Sequence, residues 1–178
     1  MHKDLKSILM TEEEISKVVT RLADEINNDY KGKPLFAIVI LKGSMFFASD
    51  LLKKLDMPVT LDFMKVSSYT NGSVSSGVVS LSLDTLDDLS GLDVLIIEDI
   101  IDSGNTLSKL KSLLSNRNAN SVKICTLLDK PERREVDITP DYCGSTIPNE
   151  FVVGYGLDYA ESYRNLPYIG ILDESVYM

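Results

Sequence analysis

The sequence predicts an α/β fold, a mostly parallel central sheet flanked by helices. Three observations predict it. Short apolar runs at Leu35 to Leu41, Asp93 to Glu98 and Ser121 to Leu128 read as buried strands. Helical patterns follow the first two, at Ser44 to Leu55 and Asn105 to Leu114, and strands alternating with helices imply parallel crossovers. The chain has 178 residues, 44% of them hydrophobic, enough for one domain, 1–178, with a real core.

The elements follow in order. Thr11-Glu12-Glu13-Glu14 is a capping box, with Glu14 three residues after Thr11. Ile15, Val18, Val19, Leu22 and Ile26 then recur at helical spacing, and Asn27 to Pro34 stops the helix. Val59 to Val66 alternates like a half-buried strand. Ser67 to Gly77 is polar and serine-rich, and Val78 to Leu83 returns as a strand, so the segment reads as a long hairpin tip. Pro131 to Asn149 is turn-rich, with short strands at Phe151 to Val153 and Tyr168 to Leu172 beyond it.

Composition excludes several classes. A net charge of −9, from 18 basic and 27 acidic residues, speaks against nucleic acid as a partner, since a phosphate backbone needs a basic face. No apolar stretch approaches the ~20 residues of a membrane span, and Met1 to Lys6 is too short and mixed for a signal peptide. Cys125 and Cys143 lack a neighbouring thiol or histidine, so they read as idle thiols in a reducing cytosol rather than as a metal pair. The expected location is cytoplasmic.

The segment from Val94 to Leu107 carries the chemistry. Its apolar run ends in Glu98-Asp99, Asp102 follows, and Ser103-Gly104-Asn105-Thr106 turns into a helix. Carboxylates at the C-terminal end of a sheet strand lie where open α/β sheets bind ligands. Amides at a helix start favour a phosphate. Acids for sugar hydroxyls or a metal, next to amides for a phosphate, suit a sugar phosphate. Taken alone, Glu98-Asp99 also reads as a solvated pair, and Asp102 as a helix N-cap.

The same residues resemble the phosphoribosyl-pyrophosphate (PRPP) motif of the type I phosphoribosyltransferases. Leu41-Lys42-Gly43-Ser44, Ser68-Tyr69, Lys130, Phe151 to Asp158 and Arg164 are similar to the other signature segments of the hypoxanthine phosphoribosyltransferases, in the same order and spacing. The resemblance spans about Leu5 to Leu172. It implies purine salvage: a purine N9 displaces pyrophosphate from C1 of PRPP, giving IMP or GMP. It also implies a small hood, formed by the N-terminal part and the C-terminal segment, over the base-binding end.

Site roles follow from that resemblance. Glu98 and Asp99 would hold the ribose hydroxyls, directly or through Mg²⁺, and Asp102 would take the proton from purine N7. Ser103, Gly104, Asn105 and Thr106 would cradle the 5-phosphate. Lys42, Gly43 and Arg164 would bind pyrophosphate, with the family's non-proline cis peptide expected between Leu41 and Lys42. Ser68 and Tyr69 would belong to a lid that keeps water from an oxocarbenium ion. Lys130 would donate to the 6-oxo group, Phe151 would stack on the purine, and backbone groups of Val152 would read its edge. Asp158 would lie at the purine end, beside a second Mg²⁺ and pyrophosphate. The metal set is then Glu98, Asp99 and Asp158. By themselves Lys130 reads as a solvated lysine, Phe151 as core, and Arg164 as the partner of a surface ion pair with Asp158 or Glu161.

Hypoxanthine is the expected first substrate and guanine the second. Two other readings stand beside it: a nucleic-acid-binding regulator on the same fold, and a transferase for xanthine or adenine. The resemblance carries over a homodimer or homotetramer.

Overall fold

The structure, a computed structural model, describes residues 1–68, 79–85 and 88–177. Its strands are β1 (Leu5–Met10), β2 (Leu35–Ile40), β3 (Val59–Ser68), β4 (Val79–Leu83), β5 (Asp93–Ile101), β6 (Ser121–Asp129), β7 (Tyr142–Thr146), β8 (Val152–Val153) and β9 (Ile169–Leu172). Its α-helices are α1 (Glu12–Asp29), α2 (Met45–Leu52) and α3 (Asn105–Ser115). The main sheet runs β4-β3-β2-β5-β6-β7. Every pairing in it is parallel except β3 with β4, which closes the predicted hairpin. The hairpin tip, including Tyr69, lies outside the described residues.

Both faces of this sheet are covered, as its apolar strands require. Val39, Leu95, Ile97 and Leu127 pack with Val19, Leu22 and Ile26 of α1 and Phe47 and Leu51 of α2. On the other face Ile38, Ile96 and Ile124 pack with Leu107, Leu110 and Leu114 of α3. The capping box forms as read: the Glu14 amide donates to the Thr11 hydroxyl at 3.3 Å, and the Thr11 amide donates to the Glu14 carboxylate at 2.8 Å. Among the described residues no helix is long and apolar enough to cross a membrane.

Three expectations need correction. β5 does not stop at Glu98; it continues to Ile101, because Glu98, Ile100 and Ile101 have ladder partners in Thr126, Leu128 and Asp129 of β6. The turn-rich stretch after Lys130 contains a 3₁₀ turn, Pro131–Arg133, and the edge strand β7, whose Tyr142, Cys143, Ser145 and Thr146 pair along β6. Residues 5–10, to which the sequence pattern assigned no element, form β1. β1 pairs antiparallel with β9, and β9 with β8, giving a second sheet of three strands. Its own small core contains Leu5, Val153 and Leu172.

Candidate functional site

β5 delivers its carboxylates into the centre of the main sheet's C-terminal end. Glu98 is partly buried, and its Oε2 is shut off from solvent without a hydrogen-bond partner. Burial, and then the charge of Asp99, push its pKa well above the usual carboxylate range. Asp99 is 9% exposed and its Oδ1 accepts from the Ile100 amide at 2.7 Å. Burial pushes it up to about 6, against the pull of that amide and of Arg164. Two adjacent acids that resist ionisation, one with an orphaned oxygen, form a site short of positive charge.

The chain then turns into α3. Gly104 is the N-cap, at φ +83°, and has no side chain to cap the helix. The Asn105 amide donates to Ser103 Oγ at 3.3 Å. The cap is therefore not Asp102, whose side chain is 45% exposed and accepts from Arg133 Nε at 3.1 Å. A cavity of about 220 Å³ opens here, lined among others by Leu41, Glu98, Asp102, Ser103, Gly104 and Thr106.

The loop before α2 closes a second side. The peptide between Leu41 and Lys42 is cis, as the resemblance implied. A Cβ on Gly43 would lie 1.6 Å from Asp99 Oδ2, and a Cβ on Gly156 would lie 1.9 Å from the Gly43 carbonyl oxygen. No side chain fits at either position, so the backbone of 43 passes between the β5 acid and the loop after β8.

That loop holds the cations. Arg164 donates to the Gly156 carbonyl at 2.7 Å, meets Asp158 at 2.8 Å and Glu161 at 3.4 Å, and keeps a buried, unpartnered Nε. Lys42 meets Glu161 at 2.8 Å and holds the Glu161 carboxyl below its usual range. The ion pairs weighed for Arg164 from sequence are both present.

At the base end, Lys130 is 9% exposed rather than solvated, and burial lowers its pKa. Its amide donates to the Ile101 carbonyl at 2.9 Å, tying it to the end of β5. Phe151 is 37% exposed rather than core. Tyr177 stacks on it at 5.1 Å between centroids, and Tyr159 meets it edge-on at 5.6 Å. Val152 is buried in β8.

The sequence missed the pair that ties these parts together. Arg134 donates to the Asp102 carbonyl and to the Asp129 carboxylate, while Asn105 donates to Glu135 at 2.5 Å. Residues 133–135 therefore buckle the phosphate loop to the base end of β6. Only the arginine doublet beside Glu135 could have signalled it. Ser68 ends β3 at the sheet. Glu98, Asp99 and Asp158 do not converge as a metal cage; among the described residues no three acids, histidines or cysteines do.

Comparison with known proteins agrees with this geometry. The family described as "Phosphoribosyl transferase domain" matches residues 7–160. A hypoxanthine-guanine phosphoribosyltransferase of Staphylococcus aureus is 52% identical over 177 residues, covering 99% of each chain. A crystal structure of a hypoxanthine phosphoribosyltransferase from the same organism superimposes with a TM-score of 0.96 at 52% identity, covering 100% of this chain and 97% of that one. A Trypanosoma cruzi hypoxanthine phosphoribosyltransferase, solved as a mutant in a ternary substrates complex, gives 0.94 at 42% identity, covering 99% and 100%.

Proposed function

The chain belongs to the phosphoribosyltransferase family, among the hypoxanthine-guanine phosphoribosyltransferases, and from that premise we propose its reaction and the role of each residue. It transfers the 5-phosphoribosyl group of PRPP to N9 of hypoxanthine or guanine, releasing pyrophosphate and IMP or GMP. One observation carries the reading. A single cavity is lined by the β5 acid Glu98, by Asp102, by Leu41 of the pyrophosphate loop and by the phosphate loop opening α3.

Each residue has work that its position permits. The uncapped start of α3 and the Ser103 and Thr106 hydroxyls hold the 5-phosphate, with Asn105 in the same turn. Glu98 and Asp99 hold the ribose hydroxyls. Lys42, the Gly43 amide and Arg164 hold pyrophosphate; the arginine fork suits two phosphate oxygens. Asp102, exposed beside the cavity, takes the N7 proton, a transfer worth roughly 10²–10⁴-fold when positioned. Lys130 donates to O6, which rejects the 6-amino group of adenine. Phe151 stacks on the ring and Val152 reads its edge. Ser68 and Tyr69 belong to the closing lid, and the three-stranded sheet is the hood over the base. Asp158 holds Arg164 in place.

The acid pair fits Mg²⁺. Hard carboxylate oxygens, one without a partner, and the lack among the described residues of a third acid converging on them match an ion that takes its other ligands from water and substrate phosphates. Glu98 and Asp99 would hold one such ion and Asp158 a second, and the positive charge they would hold there would offset the negative charge of the leaving pyrophosphate. We further propose a cytoplasmic homodimer or homotetramer. No described feature favours the nucleic-acid or xanthine and adenine readings.

The test is an ultraviolet assay with PRPP and Mg²⁺, offering hypoxanthine, guanine, xanthine and adenine separately. IMP and GMP form, and excess chelator abolishes turnover. Turnover of adenine or xanthine alone, or full activity in chelator, contradicts the reading.

A further inference from the structure

The Lys42–Glu161–Arg164 triad is not explained by catalysis. The two cations assigned to pyrophosphate are both engaged by one carboxylate, at 2.8 Å and 3.4 Å. Asp158, which also pairs with Arg164, is built into the turn, because its other oxygen accepts the Glu161 amide at 2.8 Å. Glu161 is different. Its side chain is 65% exposed, and these two cations are the partners it meets.

The backbone presenting it is unusual. Ala160 and Glu161 sit at φ +49° and +63°, two successive side-chain-bearing residues in the left-handed region. They are the two central residues of a tight turn closed by Tyr159 and Ser162, whose amides donate to each other's carbonyls at 2.9 Å and 3.3 Å, and such a turn requires positive φ at both. The turn sets the Glu161 carboxylate between two cations of an acidic protein.

We propose that Glu161 is a built-in competitor for pyrophosphate, a tethered anion that occupies Lys42 and Arg164 until PRPP displaces it. This rests on the function proposed above. A carboxylate and a phosphate oxygen use the same donors, so both cannot hold Lys42 and Arg164 fully. The exposed side chain leaves easily for solvent, while Asp158 keeps Arg164 aimed. The device sets affinity at the pyrophosphate end of the site and discourages stray anions of lower charge.

The test titrates inorganic pyrophosphate, with Mg²⁺, into the full chain and its Glu161→Gln variant by calorimetry. Exposed ion pairs are weak, so Glu161→Gln is expected to bind pyrophosphate about two- to tenfold tighter. The KM for PRPP should fall in parallel and that for hypoxanthine stay constant. The difference should shrink as KCl is raised. Asp24→Asn, which removes an exposed charge from α1, should bind as the wild type does. Equal or weaker binding by Glu161→Gln overturns the inference, as does equal tightening by Asp24→Asn. If no variant binds pyrophosphate or PRPP, the proposed function falls with it.

Discussion

Two segments build this site by opposite means. β5 and the start of α3 present acids and amides from regular structure. Residues 154–164 present a cation, Arg164, and the carboxylates that hold it from an irregular loop with four side-chain-bearing residues at positive φ: Tyr155, Ala160, Glu161 and Tyr163. In the first segment, the ladder with β6 pairs Glu98 with Thr126 and Ile100 with Leu128, which holds Glu98 and the intervening Asp99, and the cost is electrostatic: buried acids held away from water. In the second, the charges are paired and Glu161 is exposed, and the cost is in the backbone. The sheet can hold an acid where it is costly because the ladder leaves it no alternative. Here the loop holds its cation between two carboxylates and a backbone carbonyl.

The largest expected effect tests the regular segment. Asp102→Asn should keep the fold and PRPP binding, because the side chain is 45% exposed, yet lower kcat about 10²–10⁴-fold. Near-normal turnover in steady-state kinetics would remove Asp102 from the base role. The next effect breaks the contact between the segments. Gly156→Ala puts a Cβ 1.9 Å from the Gly43 carbonyl at φ +105°, and should raise the KM for PRPP on the order of 10²-fold, since small displacements are costly in aligned sites. An unchanged KM would show that the pyrophosphate loop tolerates the shift.

Smaller effects sharpen the base end. Lys130→Met should raise the KM for hypoxanthine about tenfold or more, the scale of one charged hydrogen bond, and leave that for PRPP unchanged. A PRPP effect of the same size would move Lys130 out of the base pocket. Tyr177→Ala removes the ring stacked on Phe151 and should raise the hypoxanthine KM about threefold, with Tyr177→Phe restoring it. Equal loss in both variants would assign the effect to the phenol rather than to the ring.

The same contrast explains what was legible in the sequence. The β5 acids stood out because a strand is written locally: an apolar run, then charges, then a helix start. α1 was legible through its box and its period. β1 was not, because Lys6 and Ser7 break its apolar pattern and its partner β9 lies more than 150 residues away. β7 hid among turn residues, since an edge strand needs only one neighbour. The burial of Lys130 and the buckle of Arg134 to Asp102 and Asp129 are tertiary facts with no local signal. Strand β5 was predicted too short because carboxylates inside a ladder are read as an end.

The decisive measurement concerns the cost borne by β5. The folded protein holds a proton on Asp99 up to about pH 6, whereas the unfolded chain releases it near 3.8. The folded state therefore binds more protons between these values, and this group's contribution to stability falls as pH rises through the window. The gap is worth about 3 kcal/mol, and for a chain of this size about 5–10 °C in Tm. The Tm of Asp99→Asn minus that of the wild type should be at its lowest near pH 4 and grow to that size by pH 7. Mg²⁺ with pyrophosphate should then narrow it by stabilising the wild type more. A difference that stays constant from pH 4 to 7, or that Mg²⁺ and pyrophosphate leave unchanged, would contradict the claim that these acids are buried at a cost for the sake of a cation-bearing substrate.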